Sequence, residues 1–158
     1  MKRKLRIALV AHDNRKVDII DWVIYNSDFL SQHSLVCTGT TGTLVQEALA
    51  SKSVYPEMQI MTSGPLGGDA EIAAMVVRKE IDLAVFLIDD LNAQPHEADI
   101  MMLLRQCRVH NIPIACNRYS ADLMITSDLW DDDSYVPMNP HYERFDREKH
   151  EANINKYK

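Results

Sequence analysis

Thr62-Ser63-Gly64-Pro65-Leu66-Gly67-Gly68-Asp69 joins a short apolar run to a helical pattern that begins near Ala70. Its glycines leave few Cβ atoms between the backbone and a ligand, and glycine accepts positive φ and close approach. Ser63 adds a hydroxyl, and the start of the following helix offers free N–H groups to an anion. Asp69 sits where it either caps that helix, as Asp commonly does, or faces the ligand. The composition of the stretch leaves both roles open, so its neighbours must decide between them.

Outward from this stretch the chain alternates. Residues 5–11 form a short apolar run bounded by charge, as in a strand buried on both faces, and end at His12-Asp13. Val17, Ile20, Val23 and Ile24 then recur at helical spacing, with Trp22 and Phe29 nearby, which predicts a helix over 16–30. Residues 35–38 read as a second strand ending in Gly39-Thr40-Thr41-Gly42, and Leu44, Val45, Ala48 and Leu49 as a short helix. A weak third strand over 57–61 feeds the glycine-rich stretch and a helix with Ile72, Met75 and Val76 on one face. A strong strand over 83–88 ends at Asp89-Asp90, followed by a loop at 92–97 and a helix marked by Ile100, Leu103, Leu104 and Cys107. The last strand is read over 112–116, and 117–127 as a loop and short helix. Five strands alternating with helices predict an α/β fold: a single domain with a five-stranded parallel sheet, helices on both faces and right-handed crossovers. The domain is expected over 1–130, with a polar tail over 131–158 that is irregular or partly helical.

The bounds agree with one ordinary globular domain. The chain has 158 residues, 46% hydrophobic and 25% charged, with 17 basic against 23 acidic residues and a net charge of −6. That acidity disfavours a nucleic-acid or anionic-membrane partner, so any anion must be held by a local site. No apolar run approaches the roughly 20 residues of a transmembrane helix. Met1-Lys2-Arg3-Lys4-Leu5 leads into the first strand rather than into a signal-type segment. Cys37, Cys107 and Cys116 are odd in number and lack metal or redox spacing; Cys37 and Cys116 are read as core filling inside strands. A cytoplasmic protein with reduced thiols is expected.

Ligands of open α/β sheets bind outside the carboxyl ends of the strands, and the polar residues fall there repeatedly. His12 and Asp13 follow the first strand, 38–42 the second, 63–69 the third, and Asp89 the fourth, with His96 and Asp99 beyond it. Thr40, Thr41 and Ser63 offer hydroxyls, the glycines offer backbone N–H groups, and Lys16 adds a positive charge. That inventory suits a single phosphate monoester, and neither a Walker sequence nor a dinucleotide fingerprint is present. Asp69 beside an anion cradle is a candidate base, its pKa raised by burial or a neighbouring negative charge. A neutral His96 is a candidate donor to a carbonyl oxygen as charge develops on it, with His12, Asp89 and Asp99 as orienting groups. The alternatives are a surface His96, capping roles for Asp89 and Asp99, and a metal site from His12, Asp69, Asp89 and His96 that lacks compact ligand spacing.

Ala8-Leu9-Val10-Ala11-His12-Asp13, Thr38-Gly39-Thr40-Thr41-Gly42, Ser63-Gly64-Pro65-Leu66-Gly67-Gly68-Asp69 and Leu91-Asn92-Ala93-Gln94-Pro95-His96 together resemble the methylglyoxal synthase family, in unbroken order over about residues 5–117. The resemblance implies a lyase that converts dihydroxyacetone phosphate to methylglyoxal and inorganic phosphate without a cofactor or metal, as a homohexamer under allosteric control. Phosphate is then both product and expected inhibitor. By the same comparison Asp69 matches the catalytic base and His96 the residue that polarises the carbonyl. His12, Lys16, Thr38, Thr40, Thr41, Ser63 and Gly64 match substrate and phosphate contacts, and Asp13, Asp89 and Asp99 match acidic positions of the family. Two departures stand out: Asp90 replaces the usual Pro after the acidic residue of the fourth strand, and the tail matches poorly, which leaves Arg144, Arg147 and Lys149 only as candidates near the phosphate. Two other classes share the fold: a phosphorylated-ligand sensor, like the regulatory end of carbamoyl phosphate synthetase, and an IMP cyclohydrolase-like enzyme, which needs a nucleotide-sized pocket.

Overall fold

Alternation of side chains along a strand builds both cores of the protein from the same residues. A computed structural model describes residues 3–142 and 147–158. Strand β1 (Arg6–Ala11) sends Ile7, Leu9 and Ala11 to one face of the sheet and Ala8 and Val10 to the other. Strand β4 (Leu83–Leu87) repeats the division, with Leu83, Val85 and Leu87 on the first face and Ala84 and Phe86 on the second. Strands β2 (Ser34–Cys37), β3 (Met58–Ile60) and β5 (Ile114–Ala115) complete a sheet of order β3-β2-β1-β4-β5. Every pairing is parallel, with Ile7 opposite both Leu35 and Leu83.

The first face is covered by α1 (Lys16–Tyr25), α2 (Ser27–Leu30), α3 (Gly39–Ala50) and α6 (Arg118–Ile125) through Ile19, Trp22, Val23, Leu30, Val45, Leu49 and Ala121. The second is covered by α4 (Gly68–Val77) and α5 (Glu97–Val109) through Ile72, Val76, Ile100, Leu103 and Cys107. Trp22 is wholly buried, and its indole N–H donates to Asp122 at 2.9 Å, tying α1 to α6. Truncating a core aromatic of this kind typically costs 3–5 kcal/mol. Strand order reverses between β1 and β4, so the crevice beyond their carboxyl ends is the switch point where such sheets bind ligands.

The architecture read from the sequence is the one observed, with local corrections. The helix expected over 16–30 breaks at Asn26, whose side-chain amide donates to the Trp22 carbonyl at 2.9 Å beside its own backbone N–H. Asn side chains compete with helix continuation in this way. Val17 is 71% exposed, because the buried stripe of α1 runs through Ile19, Trp22 and Val23. Gly39-Thr40-Thr41-Gly42 forms the first turn of α3, with Thr38 extended in front of it, rather than a turn before a shorter helix. Cys116 lies just past β5 and is exposed, so only Cys37 and Cys107 fill the core. In the tail, the Asn111 side chain donates to the Met138 carbonyl at 3.0 Å, and α7 spans Arg147–Asn155. Lys149 is exposed on α7, while Arg144 lies outside the described residues.

Candidate active site

Beyond the carboxyl ends of β1, β2 and β3, with the loop into α5, lies a narrow cleft of about 60 Å³. Its walls include His12, Asp13, Lys16, Thr38, Thr40, Thr41, Ser63, Gly64, Asp69 and His96. The glycine-rich stretch makes a single 3-10 turn at Gly64–Leu66 and then Gly67, at φ 111°, turns the chain into α4. That left-handed conformation is one that glycine adopts without strain. Gly68 admits no side chain, since a Cβ there would lie 2.0 Å from the Thr62 carbonyl oxygen. The turn therefore closes tightly enough to lay Ser63 and Gly64 over the mouth of the cleft.

Asp69 stands in the first turn of α4 and its side chain makes no capping bond, because the cap position is Gly67. It is fully buried, and neither carboxylate oxygen has a hydrogen-bond partner. His96 precedes α5 with a side chain only 7% exposed, and its Nε2 lies 3.2 Å from Asp69 Oδ2, too poorly aligned for a hydrogen bond. A Cβ on Gly64 would crowd both, at 3.2 Å from Asp69 Oδ1 and 3.4 Å from His96 Nε2. Burial raises the Asp69 carboxyl above its ordinary value, against the pull of His96, with Asp99 pushing it further up and Lys16 drawing it down.

On the opposite wall Lys16 reaches back along the first turn of α1, donating to the Ala11 carbonyl and, at 3.3 Å, to Thr41 Oγ1. Asp13, almost fully exposed, lies 3.5 Å from the ammonium. Burial lowers the Lys16 pKa, opposed by Asp13 and Asp69. Thr41 also donates to the Ala11 carbonyl at 3.3 Å, which fixes its hydroxyl over the same spot. The first turn of α3 leaves the amides of Thr40 and Thr41 without intrahelical acceptors, since a helix cannot satisfy its first N–H groups. An anion seated there meets a helix N-terminus, hydroxyls and one ammonium.

The sequence-selected residues divide into two sets. His12, Asp13, Lys16, Thr38, Thr40, Thr41, Ser63, Gly64, Asp69 and His96 share the cleft. Asp89 does not face it: its carboxylate accepts from Asn14 at 2.8 Å and Asn92 at 3.0 Å, which hold its pKa down. Asp99 lies in the first turn of α5 and acts on Asp69 by charge alone. Among the described residues no three His, Cys, Asp or Glu side chains converge to hold a metal, so His12, Asp69, Asp89 and His96 do not form the alternative ligand set. Pro65 and Gln94 also line the cleft although neither was singled out as a contact. The only signal for Gln94 was its place two residues before His96.

The arrangement provides an unpaired buried carboxylate, an imidazole in contact with it and an anion seat. The family profile of the MGS-like domain matches residues 18–116. The methylglyoxal synthase of Treponema socranskii is 69% identical over 154 residues, 98% of each chain. That of Yersinia enterocolitica is 45% identical over 139 residues, 88% of each. The crystal structure of methylglyoxal synthase from Elizabethkingia anophelis NUHP1 superposes with a TM-score of 0.78 at 37% identity, covering 90% of both chains. With these relatives aligned along almost its whole length, the chain belongs to the methylglyoxal synthase family of MGS-like domains.

Proposed function

We infer that the protein is a lyase that converts dihydroxyacetone phosphate to methylglyoxal and inorganic phosphate. The single observation that carries the mechanism is Asp69, a wholly buried carboxylate with no hydrogen-bond partner, 3.2 Å from His96 at the edge of an anion seat. A carboxylate of raised pKa is suited to abstract a carbon-bound proton, and the stretch that positions it leaves room for substrate.

In this reading Lys16, Thr38, Thr40, Thr41, Ser63 and Gly64 seat the phosphate and His12 contacts the triose. Asp69 takes a proton from the hydroxyl-bearing carbon, and His96 donates a hydrogen bond to the carbonyl oxygen as it becomes an enediolate. Electrons from the enediolate then expel phosphate with its bridging oxygen. The hydroxyl gives its proton to the departing phosphate as its carbon becomes the aldehyde. The carbon that bore phosphate becomes a methylene that takes up a proton from solvent to form the methyl group, while Asp69 returns to solvent the proton it removed. Expulsion requires the breaking C–O bond to lie out of the enediolate plane, where it overlaps the π system. The seat therefore holds the phosphate rotated from that plane.

Asp13, Asp89 and Asp99 act in support: Asp13 beside Lys16, Asp99 by raising the Asp69 pKa, and Asp89 through the loops. A catalytic domain over 1–130 with an appended tail, a homohexamer, allosteric control, phosphate inhibition, action in the cytoplasm and chemistry without a cofactor complete the proposal. Among the described residues no helix is long and apolar enough to cross a membrane. The test is release of methylglyoxal and phosphate from dihydroxyacetone phosphate by the purified protein, beside Asp69→Asn, without added metal. Equal release of both products by the parent and near loss in the variant is expected. A parent that binds the ester without releasing phosphate would replace the lyase by a sensor.

A further inference from the structure

The buried Nε2 of His12 has no hydrogen-bond partner, although the other side of the ring is firmly held. The backbone N–H of Asp89 donates to His12 Nδ1 at 2.8 Å, inside the protein. A nitrogen that accepts cannot carry the proton of a neutral imidazole, so that proton sits on Nε2. Phe86 and His96 meet the ring edge-on, with centroids 5.3 Å and 5.5 Å away, which resists its rotation. His12 is thereby fixed as an N–H donor in the wall of the cleft.

What fixes the Asp89 N–H is its own side chain. The carboxylate accepts from Asn14 Nδ2 at 2.8 Å, from Asn92 Nδ2 at 3.0 Å and from the Leu91 N–H at 3.1 Å. The Arg15 guanidinium donates to the preceding carbonyl, that of Ile88, at 3.3 Å. Asn14 belongs to the loop after β1 and Asn92 to the loop after β4, so the carboxylate pins one loop to the other across the switch point. Neither amide lines the cleft.

We propose that Asn14 and Asn92 are positioning residues that, through Asp89, lock His12 in the tautomer whose Nε2–H donates to an oxygen of the bound triose phosphate. The proposal rests on the lyase reading for its substrate and on the loop geometry for the lock itself. The charged and titratable groups that act on the ring are Lys16 from α1, Asp89 from the β4 loop, and His96 and Glu97 at the start of α5. Burial, His96 and Lys16 keep the ring neutral against Asp89 and Glu97.

The experiment is 15N-histidine NMR of the full-length parent and of the double variant Asn14→Ala/Asn92→Ala, with kcat and KM measured across pH. Both asparagines are exposed, so the fold survives the change. The parent is expected to show His12 protonated at Nε2 only. In the variant the Nδ1–H form appears, His12 titrates at higher pH, and the acidic limb of kcat/KM moves up with it. A misplaced substrate contact lowers kcat/KM by about 10- to 100-fold. A His12 spectrum unchanged in the variant overturns the lock; a changed spectrum with kcat/KM kept within about twofold overturns its role in the reaction. Should the parent fail to turn over dihydroxyacetone phosphate, the lyase reading falls and the spectrum alone decides the lock.

Discussion

The two ends of the sheet carry cavities of opposite character. At the amino end, Leu5, Phe29, His33, Ile125 and Trp130 surround a cavity of about 290 Å³, with Arg3, Asp128 and Asp131 also in its walls. Polar groups there have partners: Trp130 Nε1 donates to the Met124 carbonyl at 2.7 Å, His33 Nδ1 accepts from the Leu5 N–H, and Arg3 pairs with Asp82. The cleft at the carboxyl end is several times smaller, yet Asp69, His96 and His12 supply every buried side-chain atom without a hydrogen-bond partner among the described residues. Each such atom costs a fold about 1–3 kcal/mol. Unmet bonding capacity, rather than volume, marks the chemistry.

The largest effect is expected from Asp69→Asn. Loss of a positioned base lowers kcat by about 10² to 10⁴. The same change is expected to raise the melting temperature. Because burial raises the folded-state pKa of Asp69 above its unfolded value, its contribution to stability is greatest in acid and is lost as pH rises from the ordinary Asp value through the folded one. Above the folded-state pKa the ionised carboxylate is therefore a burden that Asn removes, and each kcal/mol gained there moves the midpoint by about 2–4 °C. A variant both inactive and less stable than the parent would contradict this account of the carboxylate.

Lys16→Met comes next. Losing the ammonium beside Thr41 and the α3 N-terminus weakens inorganic phosphate binding by about 10- to 100-fold, in keeping with 1.5–3 kcal/mol for a charged hydrogen bond. Calorimetric titration reads it, and unchanged affinity would move the anion seat elsewhere. The smallest effect belongs to the amino end. Trp130→Phe removes the bond to Met124 and lowers stability by about 1 kcal/mol in chemical denaturation, while turnover stays within about twofold. A large loss of turnover would tie the two cavities together.

Residues differ in the kind of signal they carry in the sequence. β1 and β4 are continuous apolar runs between charges, and burial on both faces leaves no other reading. β5 pairs through only Ile114 and Ala115, too short a segment for its limits to show against the apolar 112–116. The break at Asn26 depends on one amide bonding its own helix. Asp69 and His96 stand out only in company, because both fall at carboxyl ends of strands with the other polar motifs and match family positions; whether Asp69 caps its helix or faces inward needs coordinates. Asn14, Asn92 and Gln94 carried no signal of their own. An amide becomes informative only when its partner is known, and for Asn14 that partner, Asp89, lies 75 residues away past the end of β4.

The hydrogen bond from Asp89 to His12 joins positions 77 residues apart in the chain. At 5–20 residues per second on a ribosome, β1 waits about 4–15 s for the strand that completes the switch point. His96 follows later still. Until then β1 has only β2 beside it, and Asp69 has neither the loop opposite nor the imidazole that make it useful. A chain interrupted before its second half holds Asp69 and the residues of the anion seat but not His96, so the ability to generate a reactive dicarbonyl waits for the second half to be made.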